Sequence, residues 1–211
     1  MITAIVTDIE GTTTSISFVA DVLFPYSRAR LADYCAAHAD EVAPILAEVT
    51  ATEPGDPIAT LIRWIDEDRK ATPLKELQGL IWDEGFRSGA FTAHIYADAA
   101  DALRQWHAAG IKLYVYSSGS VAAQKLLYGH SDAGDLTPLF SGYFDTRTGA
   151  KREAASYAAI AQAIGHAPGD ILFLSDVAAE TDAAKAAGLK ALLIDRNGGP
   201  ADIHSFADIV L

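Results

Sequence analysis

The sequence contains a single cysteine, Cys35. An intramolecular disulfide is therefore impossible, and a reducing, cytoplasmic setting is expected. Basic residues are scarce: 16 lysines and arginines stand against 28 aspartates and glutamates, a formal charge of −12. Such a surface repels polyanions, which argues against nucleic acid and against anionic membrane as partners. No apolar run is long enough to span a bilayer, and the first residues read as a strand rather than a basic leader. Repeats and low-complexity tracts are also missing. What is present is half apolar over 211 residues, enough for one large domain or for a core domain with a smaller insertion.

The chain opens on Ile2-Thr3-Ala4-Ile5-Val6-Thr7, a β-branched apolar run of strand length, and continues Asp8-Ile9-Glu10-Gly11-Thr12-Thr13. A buried strand running into carboxylates places negative charge at the carboxyl edge of a sheet, where open α/β folds bind ligands. Two acids so close repel each other unless a cation lies between them, so the pair suggests Mg²⁺. Alone, the stretch reads equally well as a strand followed by a polar turn.

From Ser15 to Ala97 the spacing predicts helices only. Pro25 breaks or starts one, and Leu31 and Cys35 share a face of the next, over 26–39. A short helix over 40–50 carries Pro44 in its first turn, and Thr52-Glu53-Pro54-Gly55-Asp56-Pro57 is a loop. Ile58, Leu61, Ile62 and Ile65 recur at helical spacing, and a last helix covers 73–87. Strand–helix alternation resumes near Asp98. Helices are predicted over 99–109, 121–128, 153–164 and 178–187, and strands over 111–116, 171–174 and 191–194. A short segment over 142–146 leads to Lys151, and 207–211 is a candidate edge strand. The predicted class is α/β: a doubly wound, mostly parallel sheet over 1–14 and 98–211, with an all-helical insertion over 15–97 after its first strand. Parallel strands joined by helices put their ends on one edge, so Asp8, Ser117, Lys151 and Asp176 can converge.

Each of these residues has a separate task if the ligand is a phosphate. Asp8 is the candidate nucleophile, since a carboxylate can attack phosphorus and form an acyl phosphate. Glu10, two residues on, can protonate the leaving oxygen and then activate water. Ser117 ends a strand before a glycine turn; its hydroxyl and the N–H groups of Ser118 and Gly119 can grip phosphate oxygens. Lys151 offsets the charge of nucleophile plus phosphate. Asp176 ends the run Leu172-Phe173-Leu174-Ser175 as the first acid ends its own, a candidate metal ligand, with Glu180 one helical turn further. Taken singly, each has a plainer reading as a cap, a turn acid or a solvated lysine. Four of them in this order, each at a strand end, outweigh it.

This pattern resembles the haloacid dehalogenase (HAD) superfamily of phosphatases, at Asp8-Ile9-Glu10-Gly11-Thr12, Val115-Tyr116-Ser117, Lys151, and Ser175-Asp176 through Glu180 and Gly188. The helical insertion is similar to the cap its members carry after the first strand. Most HAD phosphatases have Asp where this chain has Glu10. With Tyr116-Ser117-Ser118-Gly119-Ser120, the run from Gln124 to Ser131, Gln78-Gly79-Leu80-Ile81-Trp82 and His94-Ile95-Tyr96, that departure resembles the acireductone-forming enolase-phosphatases of methionine salvage. The resemblance implies a Mg²⁺-dependent monomer that enolises 2,3-diketo-5-methylthiopentyl 1-phosphate, a small sugar-phosphate-like substrate, and then removes its phosphate. It implies Asp8 and Glu10 as catalytic residues, Asp8, Glu10 and Asp176 as metal ligands, and Ser117, Ser118 and Lys151 as substrate-binding residues. Glu10 would contribute through its backbone carbonyl, its side chain or both. Trp64, Trp82, Phe91 and Tyr96 are candidates to line a pocket for the methylthio tail, although helix packing is the commoner fate of such residues. His94 and His130 are candidate enolisation bases.

Three alternatives share part of this chemistry: a HAD phosphatase for another small phosphomonoester, a dehalogenase, which needs no metal, and a receiver-type phosphoacceptor module. A receiver domain is shorter, has no helical insertion and carries its aspartate on a central strand of the sequence rather than the first.

Overall fold

The computed structural model describes residues 1–211. In chain order β1 (Ala4–Thr7) leads through α1 (Ile16–Phe18) and a π-helical turn (Val19–Leu23) to α2 (Phe24–Ala37), α3 (Ala39–Thr52), α4 (Pro57–Asp66) and α5 (Thr72–Arg87). Then follow α6 (Ala97–Ala108), β2 (Lys112–Tyr116), α7 (Val121–Gly129), β3 (Phe140–Phe144) and α8 (Ala154–Ile164), and finally β4 (Ile171–Ser175), α9 (Ala178–Ala186) and β5 (Lys190–Leu193). The chain divides into two compact units, Met1–Ile16 with Ala93–Leu211, and Ser17–Thr92. No helix is long and apolar enough to cross a membrane.

The first unit is an α/β domain with one five-stranded sheet in the order β3-β2-β1-β4-β5, every neighbouring pair parallel. The two central strands β1 and β4 are buried at every position, which is why their sequences are unbroken apolar runs rather than alternating ones. On one side Val6, Tyr116 and Phe173 pack with Tyr157 and Ile160 of α8 and Ala184 of α9 in a single apolar cluster. The order reverses about β1, whose neighbours β2 and β4 come from different parts of the chain. A crevice at the carboxyl ends of the strands belongs at that reversal.

The second unit packs α2 to α5 around Leu31, Val42, Val49, Leu61, Trp64 and Leu77. Pro25 lies in the first turn of α2, directly after the π-helical turn, so it starts that helix. Three of the aromatic tail-pocket candidates fall here, and all pack within the unit. Trp64 is fully buried, the Trp82 indole donates to Leu23 O at 2.8 Å, and Phe91 stands edge-on to Phe86 and Tyr26.

Two expectations are corrected. The segment 207–211 is not a strand: the chain turns through a 3₁₀ helix, Phe206–Asp208, closed by a capping box in which Ser205 and Asp208 satisfy each other's backbone. The sheet edges are β3 and β5. Helix α3 begins at Ala39, so Pro44 lies inside it rather than in its first turn, and Asp40 and Glu41 occupy the favourable acidic positions at its start.

Candidate active site

Strand register brings the predicted residues to one edge. Thr7 pairs with Val115 of β2 and with Leu174 of β4, so Asp8, Ser117 and Asp176 emerge together just past the ends of three adjacent strands. The ladder continues one step further, with Asp8 N–H donating to Leu174 O at 2.9 Å and Ser117 N–H to Phe144 O at 3.2 Å. After Asp8 the chain folds over itself: the N–H groups of Thr13 and Thr14 both donate to Ile9 O, at 2.9 and 3.0 Å. Gly11 takes φ +70° there, and a Cβ at that position would collide with the Asp176 carboxylate. Glycine is required on both counts. The Thr12 hydroxyl accepts the Asp176 N–H at 3.1 Å, joining the two acid-bearing loops.

The serines sort themselves by hydrogen bonding. Ser120 caps α7 by accepting the Ala123 N–H, which relieves Ser117 of that role. The Ser117 oxygen instead accepts the Gly119 N–H at 3.2 Å. The Gly119 amide is thus turned onto the serine rather than toward a phosphate, while the Ser117 hydroxyl keeps its proton to donate. Gln124, 1% exposed, steadies the turn by donating from its amide nitrogen to Gly119 O and Phe144 O, both at 2.8 Å.

Lys151 is the centre of charge. Its Nζ lies 2.7 Å from Asp8 Oδ2 and 2.7 Å from Glu180 Oε2. Burial disfavours its charge, but the two carboxylates more than offset that and hold its pKa above the ordinary lysine value. Glu180 also accepts the Ser175 hydroxyl at 2.9 Å; burial and the nearby Asp8 charge raise its pKa despite the lysine. Asp176 is pushed up to about 6, first by burial and then by repulsion from Asp8. Asp8 is held at both oxygens, Oδ1 by the Ile9 N–H at 2.8 Å and Oδ2 by the lysine. Three closely grouped carboxylates therefore face one ammonium. Such an excess of negative charge would repel a phosphate dianion and suits a divalent cation.

A cavity of about 210 Å³ opens among these groups, lined by Asp8, Glu10, Ser117, Ser118, Lys151 and Asp176, with Ile16, Val177 and Glu180. All six of the predicted site residues thus share one cavity. Glu180, one helical turn beyond Asp176, touches Lys151 directly. His94 is differently placed: it does not line this cavity, and its Nδ1 accepts the Ser15 N–H at 3.1 Å. Tyr96, the fourth tail-pocket candidate, lies under the Arg196 guanidinium at 4.2 Å. Sequence reading missed Arg196 and Tyr128. Arg196 donates to Thr12 O at 2.6 Å and to Asp98 Oδ2 at 2.6 Å, and the Tyr128 hydroxyl meets that of Thr13 at 2.8 Å. Both brace the loop after Asp8.

Residues 2–188 match the haloacid dehalogenase-like hydrolase family, and the chain belongs to it. Among curated relatives, Enolase-phosphatase E1 of Methylococcus capsulatus is 58% identical over 97% of this chain and 93% of its own length. Enolase-phosphatase E1 of Pseudomonas aeruginosa is 57% identical over 100% and 99%. The crystal structure of the UTR4 protein of Saccharomyces cerevisiae superposes with a TM-score of 0.83 at 34% identity, covering 96% of this chain and 97% of that one. The L-2-haloacid dehalogenase RSc1362, at 20% identity and a TM-score of 0.61, shares the fold. Within the hydrolase family, this chain groups with the enolase-phosphatases.

Proposed function

We propose that the enzyme enolises 2,3-diketo-5-methylthiopentyl 1-phosphate and then hydrolyses the enol phosphate to the acireductone of methionine salvage, acting as a cytoplasmic monomer with Mg²⁺. The observation that carries the phosphatase half is the Asp8–Lys151–Glu180 cluster beside Asp176 and Ser117 at one sheet edge. The enolase half follows from the relatives of 58% and 57% identity.

The donor set suits Mg²⁺: Asp176 is pushed up to about 6 by burial and, after it, by the negative charge of Asp8, and a divalent cation between the two would relieve both. No three His, Cys, Asp or Glu side chains make a ligand set by themselves. Asp8 and Asp176 would therefore supply two carboxylates, with Glu10 adding an oxygen from its backbone carbonyl or side chain. When bound, Mg²⁺ neutralises phosphate charge and the charge developing on the enolate.

The protein groups divide the remaining work. The Ser117 hydroxyl and Ser118 hold the phosphate, and Lys151 keeps the Asp8 carboxylate oriented while balancing its charge. An Asp8 oxygen attacks phosphorus, and the bond from phosphorus to the enol oxygen breaks as that oxygen takes a proton from Glu10. Glu10, now a carboxylate, draws a proton from water. That water attacks the aspartyl phosphate, releasing inorganic phosphate and restoring Asp8. An enol oxygen leaves more readily than an alkoxide, so the longer side chain of Glu10 suffices where relatives of other specificity use aspartate.

The test is to incubate purified protein with the diketo phosphate and Mg²⁺ while following ultraviolet absorbance and free phosphate together. An absorbing enol species that forms before phosphate appears is the expected result. Phosphate release with no enol species, or turnover only of other phosphomonoesters, would refute the reading.

A further inference from the structure

Lys151 stands in a turn outside any regular element, between β3 and α8. Three consecutive carbonyls of that turn each accept a hydrogen bond from a different side-chain hydroxyl. Tyr116 donates to Gly149 O at 3.0 Å, Ser156 to Ala150 O at 2.8 Å, and Tyr157 to Lys151 O at 2.6 Å. The two tyrosines are 0% exposed and the serine 2%. Tyr116 is the last residue of β2, and Ser156 and Tyr157 lie in the first turn of α8. Their rigidity is built in. The two rings meet edge to face at 5.5 Å, and Tyr157 packs on Phe173 of β4 at 4.9 Å. Gly149 adopts φ +148°, and any Cβ there would strike the Ser156 hydroxyl, so the turn lies flush against its donors.

Packing alone does not call for these hydroxyls. Phenylalanine would fill either aromatic site and keep the ring contacts. A lysine on an unsupported turn would lose precision at its ammonium, because its backbone and four-carbon stem are both mobile. Here the ammonium must meet two carboxylates at 2.7 Å each. The hydroxyls fix the end of the stem that the carboxylates do not. We infer that Tyr116, Ser156 and Tyr157 form a hydroxyl cradle that positions Lys151 for phosphoryl transfer, with Tyr157, bonded to the lysine's own carbonyl, as its principal positioning residue. The inference rests on the role proposed above for Lys151.

A double-mutant cycle separates this role from a merely structural one. Tyr157→Phe is measured for kcat/KM of phosphate release, alone and combined with Lys151→Met. A residue acting through the lysine loses its effect once the lysine is gone, whereas one that only lowers the folded fraction costs the same factor in both backgrounds. Tyr157→Phe alone should lower kcat/KM about 10-fold, as a sub-ångström misplacement of a charged group does, with KM changed less than kcat. Added to Lys151→Met, it should change kcat/KM by less than about twofold. Equal losses in both backgrounds, or a wild-type-like Tyr157→Phe, overturn the cradle. A near-normal Lys151→Met by itself overturns the reading of the lysine, and the cradle with it. Should Tyr157→Phe fail to fold, Ser156→Ala and Tyr116→Phe run the same cycle, and Ser156→Thr, which keeps a hydroxyl, should restore the activity that Ser156→Ala loses.

Discussion

Replacing Lys151 with methionine keeps most of the side-chain length and removes one charge, so the consequences are electrostatic. The ammonium lies 2.7 Å from a carboxylate oxygen on either side, and its own side chain is 11% exposed. At an effective dielectric constant of about 20, each contact is worth roughly 6 kcal/mol of gross Coulomb energy. Desolvation of three charges offsets much of that, and removing one partner of such a buried set costs about 3–5 kcal/mol net. For a chain of this size the melting temperature in metal-free buffer near pH 8 should fall by about 6–20 °C.

The pH dependence is the sharper test. Lys151 has a raised pKa, so the stability from its own protonation is fully present below the ordinary lysine value, and the lysine does not itself titrate between about pH 5 and 8. Without it, Glu180 and Asp176, already raised, rise further. An acid whose native pKa exceeds its unfolded value weakens the fold above the native pKa and stops doing so as pH falls through it. The stability gap between wild type and variant should therefore be widest near pH 8 and narrow toward pH 5. Turnover should fall about 100- to 1,000-fold, the range for losing one preorganised electrostatic contact, while Lys190→Met, at an exposed position of β5, should be unaffected. Melting curves across pH and steady-state phosphate release read the two effects. A variant within threefold of wild type, or a stability gap indifferent to pH, would refute the electrostatic account.

Chelation with EDTA should abolish activity and added Mg²⁺ restore it, with Asp176→Asn severely raising the Mg²⁺ requirement; full turnover in metal-free buffer would overturn the metal assignment. Because Asp176 sits at about 6, protons should compete with the metal, so the apparent Mg²⁺ affinity should weaken as pH falls through that value. A titration showing no pH dependence would count against Asp176 as a ligand. Asp8→Asn, saturated with Mg²⁺, should still enolise the substrate but release no phosphate, leaving a persistent absorbing species. If neither absorbance change nor exchange of the α-proton with solvent occurs, Asp8 serves both steps. Gly11→Ala should reduce activity by a larger factor than its folding loss of about 1–2 kcal/mol explains, because the new methyl displaces the Asp176 carboxylate; a variant that melts lower yet keeps wild-type kcat would show that the displacement is harmless.

The parts of the fold that were legible in the sequence are those where burial is continuous. Strands β1 and β4 are covered on both faces, so Ile5-Val6 and Ile171-Leu172-Phe173-Leu174 read as strands without help from context. The edge strand β3, Phe140–Phe144, is only partly buried, and the sequence shows no more than a short segment over 142–146 that catches its second half. The candidate edge strand over 207–211, ending in Ile209-Val210-Leu211, errs in the other direction. Three apolar residues look like the start of a strand, but the capping box of Ser205 and Asp208 sets the chain's direction just before them. A local hydrogen-bond pattern there outranked hydrophobicity.

The same division runs through the site. Asp8, Ser117 and Asp176 were visible because each ends an apolar strand with a polar residue, and register then carries all three to one edge. The groups that hold them still leave no such mark. Arg196 reaches Thr12 across 184 residues of chain, and by composition it is one more basic residue in a C-terminal loop. Tyr116 and Tyr157 fall inside apolar patterns, where a reader of periodicity counts the ring and ignores the hydroxyl; yet their oxygens end at Gly149 O and Lys151 O. Gln124 sits on α7 like any polar helix residue while fastening the serine turn to the end of β3. Chemistry needs particular residue types at strand ends, which a short window of sequence displays. Precision needs hydrogen bonds between elements distant in the chain, and those appear only once the sheet has set the elements side by side.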